Sequence, residues 1–178
     1  MATFREFEWG KVLPFIVAQT FGAIAAAATN LGLFHSSIRQ FESTSNIVRG
    51  TKASIESAKV FGEYWSVGSW QTAFMAEAYG TAILALVIFS LTNPKNKTTA
   101  KNPILVPPLI GTTVGALISV IAPLTQAGFN PARDFGPRII SLLAGWGGIA
   151  MQGWWVYILG PIVGALVGAL IAEKVLYK

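Results

Sequence analysis

The chain has 178 residues, of which 53% are hydrophobic and only 12% are charged, and its net charge is +5. Soluble domains carry about 25% charged residues, so the composition excludes an ordinary water-soluble domain. The positive charge does not indicate nucleic acid as a partner, because the basic residues lie between apolar stretches instead of forming one stripe.

Four apolar windows are long enough to cross a bilayer, since a hydrocarbon core of about 30 Å requires about 20 mostly apolar helical residues. Pro14 lies near the start of the first window, where a missing N–H costs least, and Asn93-Pro94 ends the second. The sequence therefore predicts an all-α, multi-pass integral membrane protein in contact with a lipid bilayer. The predicted spans cover about residues 12–34, 70–92, 104–124 and 153–172.

The segment between the third and fourth windows contains an apolar run over residues 139–151. At about 13 residues it is too short to cross and is typical of a re-entrant or interfacial segment. Upstream of it, Asn130 is a good N-cap, Pro131 suits the first helical position and Asp134 lies in the first turn. A half-helix is therefore predicted over about residues 130–143.

The loop over residues 93–102 predicts the orientation of the chain. It contains Lys95, Lys97 and Lys101 but no acidic residue, and short loops rich in lysine and arginine lie in the cytoplasm. Four crossings then put both termini on the cytoplasmic side as well. Residues 35–68 and the half-helix are expected on the opposite side.

Residues suited to enzyme chemistry are scarce. Cysteine is absent, which excludes disulfides, thiolate metal sites and cysteine nucleophiles. The only histidine, His35, stands at the end of an apolar run without an acidic residue beside it in the sequence, so a surface or interfacial histidine is expected rather than a catalytic one. The sequence shows no phosphate-binding glycine loop and no cluster of metal ligands. We therefore expect a protein that is not an enzyme and needs neither metal nor cofactor.

Two charged residues, Arg133 and Asp134, fall within the predicted half-helix. Charge at membrane depth usually faces a water-filled cavity or pairs inside the bundle, and non-helical backbone there must be buried in protein or line such a cavity. A helix N-terminus directs free N–H groups and a partial positive charge toward the lumen, to which Arg133 adds a full charge. The pattern predicts a pore or solute site that repels cations and hydrogen-bonds water or small neutral polyols.

The stretch from Gly128 to Arg138 reads Gly-Phe-Asn-Pro-Ala-Arg-Asp-Phe-Gly-Pro-Arg. It resembles the second Asn-Pro-Ala signature of the aquaporin and aquaglyceroporin family, the major intrinsic proteins. Features along nearly the whole chain agree, among them Pro14, Glu77 and Gly160-Pro161. The resemblance implies a partial aquaporin-like right-handed bundle and passive transport of small neutral solutes such as glycerol and water.

The resemblance also implies roles for the signature residues Asn130, Pro131 and Ala132 and for the arginine that follows them. Asn130 is expected to be the midplane donor that touches passing solute. Arg133 is expected to be the arginine of the selectivity filter.

Other positions bear on selectivity by the same resemblance. Ile118 and Ala127 fall where the family places two further filter side chains, and Ile118 implies a wider and less polar constriction than the histidine of water-selective members. Asp134 and Arg138 resemble the glycerol-conducting branch, whereas Tyr157 departs from it. Together they favour a glycerol-type channel.

Two acidic residues are expected to have structural roles. A carboxylate within a span, such as Glu77, is costly unless its oxygens accept hydrogen bonds, and in the family the matching acid braces the backbone of the re-entrant loop. A brace is preferred here to a proton-handling role. Asp134 is expected to support the same loop.

The family's full chain is an inverted repeat in which each half contributes three spans and one half-helix. This sequence corresponds to the second half preceded by one span, so two spans and the first Asn-Pro-Ala half-helix have no counterpart. Two alternatives follow: a channel whose pore a partner completes, or a transport-incompetent structural subunit of a larger membrane complex. Other membrane protein subunits, in a homo-oligomer or a foreign complex, are expected partners in either case.

Small and aromatic residues in the spans are explained by packing and by the interface. Glycines at four-residue spacing let helices approach closely; they are Gly160, Gly164 and Gly168 in the fourth span and Gly111 and Gly115 in the third. Tryptophans near span ends are expected to be interfacial anchors, namely Trp70, Trp146, Trp154 and Trp155.

Overall fold

The computed structural model describes residues 2–5 and 7–178, and its regular structure is helical, with no strand in that part of the chain. Four helical stretches, counted with adjoining short turns, are long and apolar enough to cross a membrane: Trp9–Thr44, Trp70–Leu91, Pro103–Thr125 and Val156–Leu176. The predicted all-α membrane fold is confirmed. The helices are α1 (Val12–Thr44), α2 (Ile55–Ala58), α3 (Trp70–Leu91), α4 (Lys97–Lys101), α5 (Val106–Thr125), α6 (Pro131–Ser141) and α7 (Val156–Ile171).

The helices form two compact units. Unit 1 contains α3, α4, α5 and α7, and unit 2 contains α1, α2 and α6. The division passes between Phe129 and Asn130, directly before α6. In residue numbers, unit 1 comprises 2–5, 7, 65–129 and 155–178, and unit 2 comprises 8–64 and 130–154.

α1 extends beyond its apolar window, which ends near Phe34, and continues to Thr44. Its 33 residues span about 50 Å, more than the roughly 30 Å of a hydrocarbon core. The added turns are stabilised by burial, because Glu42 is enclosed and accepts a 2.8 Å hydrogen bond from Arg49 Nε. Asn46, with φ of 53°, follows the end of the helix in the left-handed region that asparagine tolerates.

α3 and α7 pack closely in unit 1 because glycines face backbone. A Cβ atom at Gly164 would overlap the carbonyl of Ala78, and one at Gly168 would overlap that of Ala82. The predicted close approach at these two glycines is confirmed.

The glycines of α5 behave differently. A Cβ at Gly111 or Gly115 would meet no atom within 4 Å among the described residues. The packing predicted for these two positions therefore does not occur among the residues that the structure describes.

Trp146 is fully buried in the core of unit 2, so its predicted role as an interfacial anchor is wrong. Its ring packs edge-on against Phe61 at 5.5 Å between centroids, and its indole N–H donates to Ser57 Oγ at 2.9 Å. The Arg49 guanidinium lies 3.6 Å from the centre of the indole. A tryptophan whose indole N–H has a hydrogen-bond partner inside the protein can be buried in the core instead of lying at the membrane interface.

Candidate functional site

α6 begins at Pro131 with Asn130 as its N-cap, as the sequence predicts. Asn130 Oδ1 accepts hydrogen bonds from the backbone N–H groups of Ala132 at 3.1 Å and Arg133 at 3.3 Å. Asn130 is exposed, and within the described chain its Nδ2 group donates to no protein acceptor. The cap therefore fixes the side chain by its oxygen and leaves its amide nitrogen as a donor.

The loop before α6 has an unusual backbone. Gln126, Ala127 and Phe129 have φ of 65°, 60° and 53°, a region in which non-glycine residues cost roughly 1–2 kcal/mol each. Such strain persists only where the surroundings determine the conformation. Gly80 of α3 contributes by leaving room for the Phe129 ring, which a Cβ at that position would overlap.

Glu77 of α3 holds this loop by hydrogen bonds. Its fully buried carboxylate accepts from Thr125 Oγ1 at 2.6 Å, from the Gly128 N–H at 3.0 Å and from the Phe129 N–H at 2.8 Å. These donors supply what a buried carboxylate needs. All of these contacts lie within unit 1.

Asp134 and Arg138 form a fully buried ion pair one turn apart on α6, with 2.7 Å between Asp134 Oδ2 and Arg138 Nε. The second oxygen of Asp134 accepts the Glu63 N–H at 2.7 Å. Arg138 also donates to the carbonyls of Glu63, Ala150 and Gln152. The pair thereby ties the loop around residue 63 and the segment after α6 to one side of α6.

The Glu63 side chain, in the loop held by Asp134 and Arg138, forms an ion pair with Arg133. The Glu63 side chain is 5% exposed, whereas that of Arg133 remains 53% exposed. Sequence reasoning missed Glu63, because an acid in a loop 70 residues upstream carries no local pattern that predicts its partner. The positive charge expected at Arg133 is therefore partly neutralised in the folded chain.

Tyr64 lies beside Arg138 and is buried. Its hydroxyl donates to the Ala150 carbonyl at 2.9 Å, and the Arg138 guanidinium lies 4.5 Å from its ring centre. Burial raises the pKa of Tyr64 to about 12, although the charge of Arg138 acts in the opposite direction. The tyrosine therefore stays neutral across the physiological range.

A cavity of about 240 Å³ lies in unit 2 and is lined by Arg133 and Asn30 among apolar residues of α1, α6 and the loop near Phe61. A water molecule takes about 30 Å³ in the liquid, so the cavity has room for several waters or one small polyol. Asn30 was not singled out from the sequence. It could have been found as an amide near the end of a charge-free window, since polar groups in spans are usually functional.

The other predicted filter residues belong to unit 1. Ile118 on α5 is 42% exposed, and Ala127 is buried against the cluster around Leu117 and Ile121. The predicted site residues thus fall into two groups, with Ile118, Ala127 and Glu77 in unit 1 and residues 130–134 in unit 2. His35 is exposed on α1.

The sequence profile described as "Major intrinsic protein" matches residues 1–172. This chain belongs to the major intrinsic protein family. It is accordingly an integral membrane protein with several spans, as its four long apolar helices indicate.

Relatives of the chain include uptake facilitators of bacteria. The chain is 41% identical to the glycerol uptake facilitator protein of Escherichia coli K12, over 97% of its own length and 63% of the relative's. It is 44% identical to the glycerol uptake facilitator protein of Pseudomonas aeruginosa, over 93% and 61% of the two lengths. The propanediol uptake facilitator of Salmonella typhimurium is 39% identical, over 94% and 66%.

A solved structure also matches. The aquaglyceroporin from Plasmodium falciparum superposes with a TM-score of 0.79 at 26% sequence identity, covering 99% of this chain and 69% of that one. The chain thus spans a little under two thirds of the length of the glycerol facilitators that it matches.

Proposed function

We propose that the chain forms part of a membrane channel for the passive movement of glycerol, water and similar small neutral solutes. The observation that carries this proposal is the start of α6, where the Asn130 amide and the Arg133 guanidinium are both exposed hydrogen-bond donors. Relatives named for the uptake of glycerol and of propanediol support the same class of solute. Both of those solutes carry hydroxyl oxygens that accept hydrogen bonds.

The electrostatics of the site favour an uncharged solute. The N-terminus of α6 has a partial positive charge, and Arg133 adds donors there, which disfavours cations. Glu63 pairs with Arg133 and offsets part of the attraction that an unpaired arginine would have for anions. A neutral polyol needs no charged partner, and its hydroxyl oxygens can accept hydrogen bonds from the Asn130 amide and the Arg133 guanidinium.

The remaining predicted site residues have supporting roles in this proposal. Glu77 braces the strained loop at residues 125–129, and Asp134 with Arg138 holds the loop at Glu63 against α6. Pro131 and Ala132 form the first turn of the half-helix. Ile118 and Ala127 contribute to the constriction that excludes larger solutes.

A second polypeptide segment is proposed to complete the pore. The family builds its pore from two half-helices and two sets of spans, and the described chain supplies one such half-helix, α6. The exposed donors at the start of α6, the Asn130 amide and the Arg133 guanidinium, need protein or water around them, because lipid cannot satisfy them. The completing segment would bring two spans and the other half-helix.

The test is stopped-flow measurement of glycerol uptake by proteoliposomes. Three preparations are compared: the chain alone, the chain with a segment from a glycerol facilitator that carries two spans and the other half-helix, and that segment alone. Flux only in the combined preparation is the expected result. Flux from the chain alone would support conduction by an oligomer of this chain and contradict the need for a foreign segment.

The filter role of Arg133 is tested in the same preparation by Arg133→Val, with the exposed Arg39→Val of α1 as the matched control. We expect Arg133→Val to change the ratio of glycerol flux to proton or cation leak, while the control leaves it unchanged. An unaltered selectivity profile removes the filter role. Absence of flux from every preparation would overturn the channel and favour a structural subunit of a membrane complex.

A further inference from the structure

A second cavity, of about 420 Å³, lies in unit 1 where the end of α3 meets α4 and the start of α5. Its walls are mostly apolar and include Leu91, Pro94, Pro103, Val106 and Pro107. α3 and α5 are candidate membrane spans, so the cavity lies at the boundary where helices leave the lipid. None of the residues that line it is among the residues of the proposed pore.

One polar group among the lining residues has no partner. Thr99 is buried, and its Oγ1 forms no hydrogen bond within the described structure. A buried hydroxyl without a partner is unfavourable, so such groups require an explanation, for example a ligand. The Thr99 hydroxyl is therefore a second indication of a ligand here, independent of the shape of the cavity.

The residues that line this cavity are uncharged, but α4, which supplies Thr99 and Ala100 to its wall, carries two lysines. The four-residue spacing of Lys97 and Lys101 puts them on one exposed face of α4, on the side of Ala100 and opposite the buried Thr99. Both are exposed, and neither forms an ion pair among the described residues. Lys95 is nearby in the chain and donates to the Tyr177 carbonyl at 3.0 Å.

Acidic groups do not offset this charge. Glu173, at the end of α7, is held by Arg5 at 2.7 Å and accepts from Asn93 at 3.3 Å. Glu77, the other acid among the described residues of unit 1, is buried against the loop before α6. The surface beside the cavity therefore keeps a net positive charge.

We propose that this cavity binds an anionic phospholipid, with an acyl chain along the apolar walls and the phosphate beside Lys97 and Lys101. The apolar walls favour a lipid over a free phosphate ion, which would need polar walls throughout. The lysines favour an anionic headgroup over a zwitterionic one. The Thr99 hydroxyl, which has no hydrogen-bond partner among the described residues, would donate to a lipid oxygen.

Native mass spectrometry of the purified chain in detergent tests the proposal. The probes are palmitoyl-oleoyl phosphatidylglycerol, the matching phosphatidylcholine, and inorganic phosphate as a competitor. We expect phosphatidylglycerol to be retained at least tenfold more than phosphatidylcholine and to resist competition by phosphate. Equal retention of the two lipids, or displacement by millimolar phosphate, would overturn the lipid site.

Two lysine double variants distinguish binding at this cavity from a general attraction of the anionic lipid to the positively charged protein. Lys97→Gln with Lys101→Gln should weaken phosphatidylglycerol binding about 25-fold, at about fivefold for each lysine near a membrane surface. The matched control, Lys174→Gln with Lys178→Gln, removes two charges from another helix end and should weaken it less than threefold. Equal losses from the two double variants would contradict the site.

Two further variants test the cavity without changing charge. Ala100 is an exposed residue that lines the cavity. The substitution Ala100→Trp should fill the cavity and lower retention of phosphatidylglycerol at least tenfold. Thr99→Val should lower retention severalfold, while the lipid-free protein unfolds at the same or a higher temperature than wild type. Unchanged retention in both variants would contradict binding in this cavity.

Discussion

At the scale of single residues, the carboxylate of Glu77 matters most to the loop before α6. Three donors point at it, and three residues of that loop have left-handed φ. In Glu77→Gln one oxygen becomes an amide nitrogen, which cannot accept from the Gly128 or Phe129 N–H. In Glu77→Ala every donor loses its acceptor, at about 1–3 kcal/mol for each unsatisfied group.

We therefore expect stability to fall in the order wild type, Glu77→Gln, Glu77→Ala, with the alanine variant destabilised by about 3 kcal/mol or more. Unfolding in mixed dodecyl sulfate micelles, followed by circular dichroism, measures this order. Glu56→Gln, at an acid whose side chain is 59% exposed, is the control and should change stability by less than about 0.5 kcal/mol. Two Glu77 variants as stable as the control would show that the loop keeps its conformation without the brace.

Tyr64 makes a pH-dependent contribution to the same region. Its pKa is raised from the ordinary value of 10.0 to about 12 in the folded chain, so folding favours the protonated phenol. The contribution of the protonated Tyr64 phenol to the free energy of unfolding is complete below pH 10 and is lost as the pH rises through 12. Wild type should therefore lose more stability between pH 9 and pH 11.5 than Tyr64→Phe, which cannot ionise. Parallel losses in the two proteins, measured by thermal unfolding, would contradict the elevated pKa.

At the scale of elements, glycines on α7 and α5 provide a matched pair. Gly164 faces the backbone of Ala78, whereas Gly115 faces open space within the chain. Gly164→Ala should separate α3 from α7 and destabilise unit 1 by about 1–3 kcal/mol through overpacking. Gly115→Ala should be neutral or stabilising by up to about 1 kcal/mol, because alanine is the better helix former.

Thermal unfolding of the purified variants distinguishes the two glycines. If Gly115→Ala also destabilises the protein, α5 must pack against another copy or a partner at that position. Equal tolerance of both substitutions would mean that α3 and α7 can move apart without cost.

The elements also show what the sequence could predict. Apolar windows and the Asn130-Pro131 start depend on local composition and capping, and they predicted where the long apolar helices and the first turn of α6 lie. The burial of Trp146 and the ion pair of Arg133 with Glu63 depend on partners far along the chain, and no local pattern carries that information. The extension of α1 to Thr44 depends on the buried pair of Glu42 with Arg49, which lies beyond the apolar window that predicted the helix.

At the scale of the whole molecule, orientation in the membrane is the prediction that remains to be measured. The lysines of the loop over residues 93–102 predict a cytoplasmic location for that loop, and residues 35–68 then lie outside. Because the chain has no cysteine, single cysteines can be introduced without background. Lys97→Cys and Lys52→Cys suit this purpose, since both lysines are exposed.

In intact cells, a membrane-impermeant maleimide should label Lys52→Cys fully and Lys97→Cys only after the membrane is permeabilised. The reverse pattern would invert the topology and place the start of α6 on the cytoplasmic side. Labelling of about half of each variant would indicate dual insertion, in which two copies of opposite orientation could each contribute a half-helix to one pore. Only that last outcome would make a second copy of this chain, rather than a different polypeptide segment, sufficient to complete the channel.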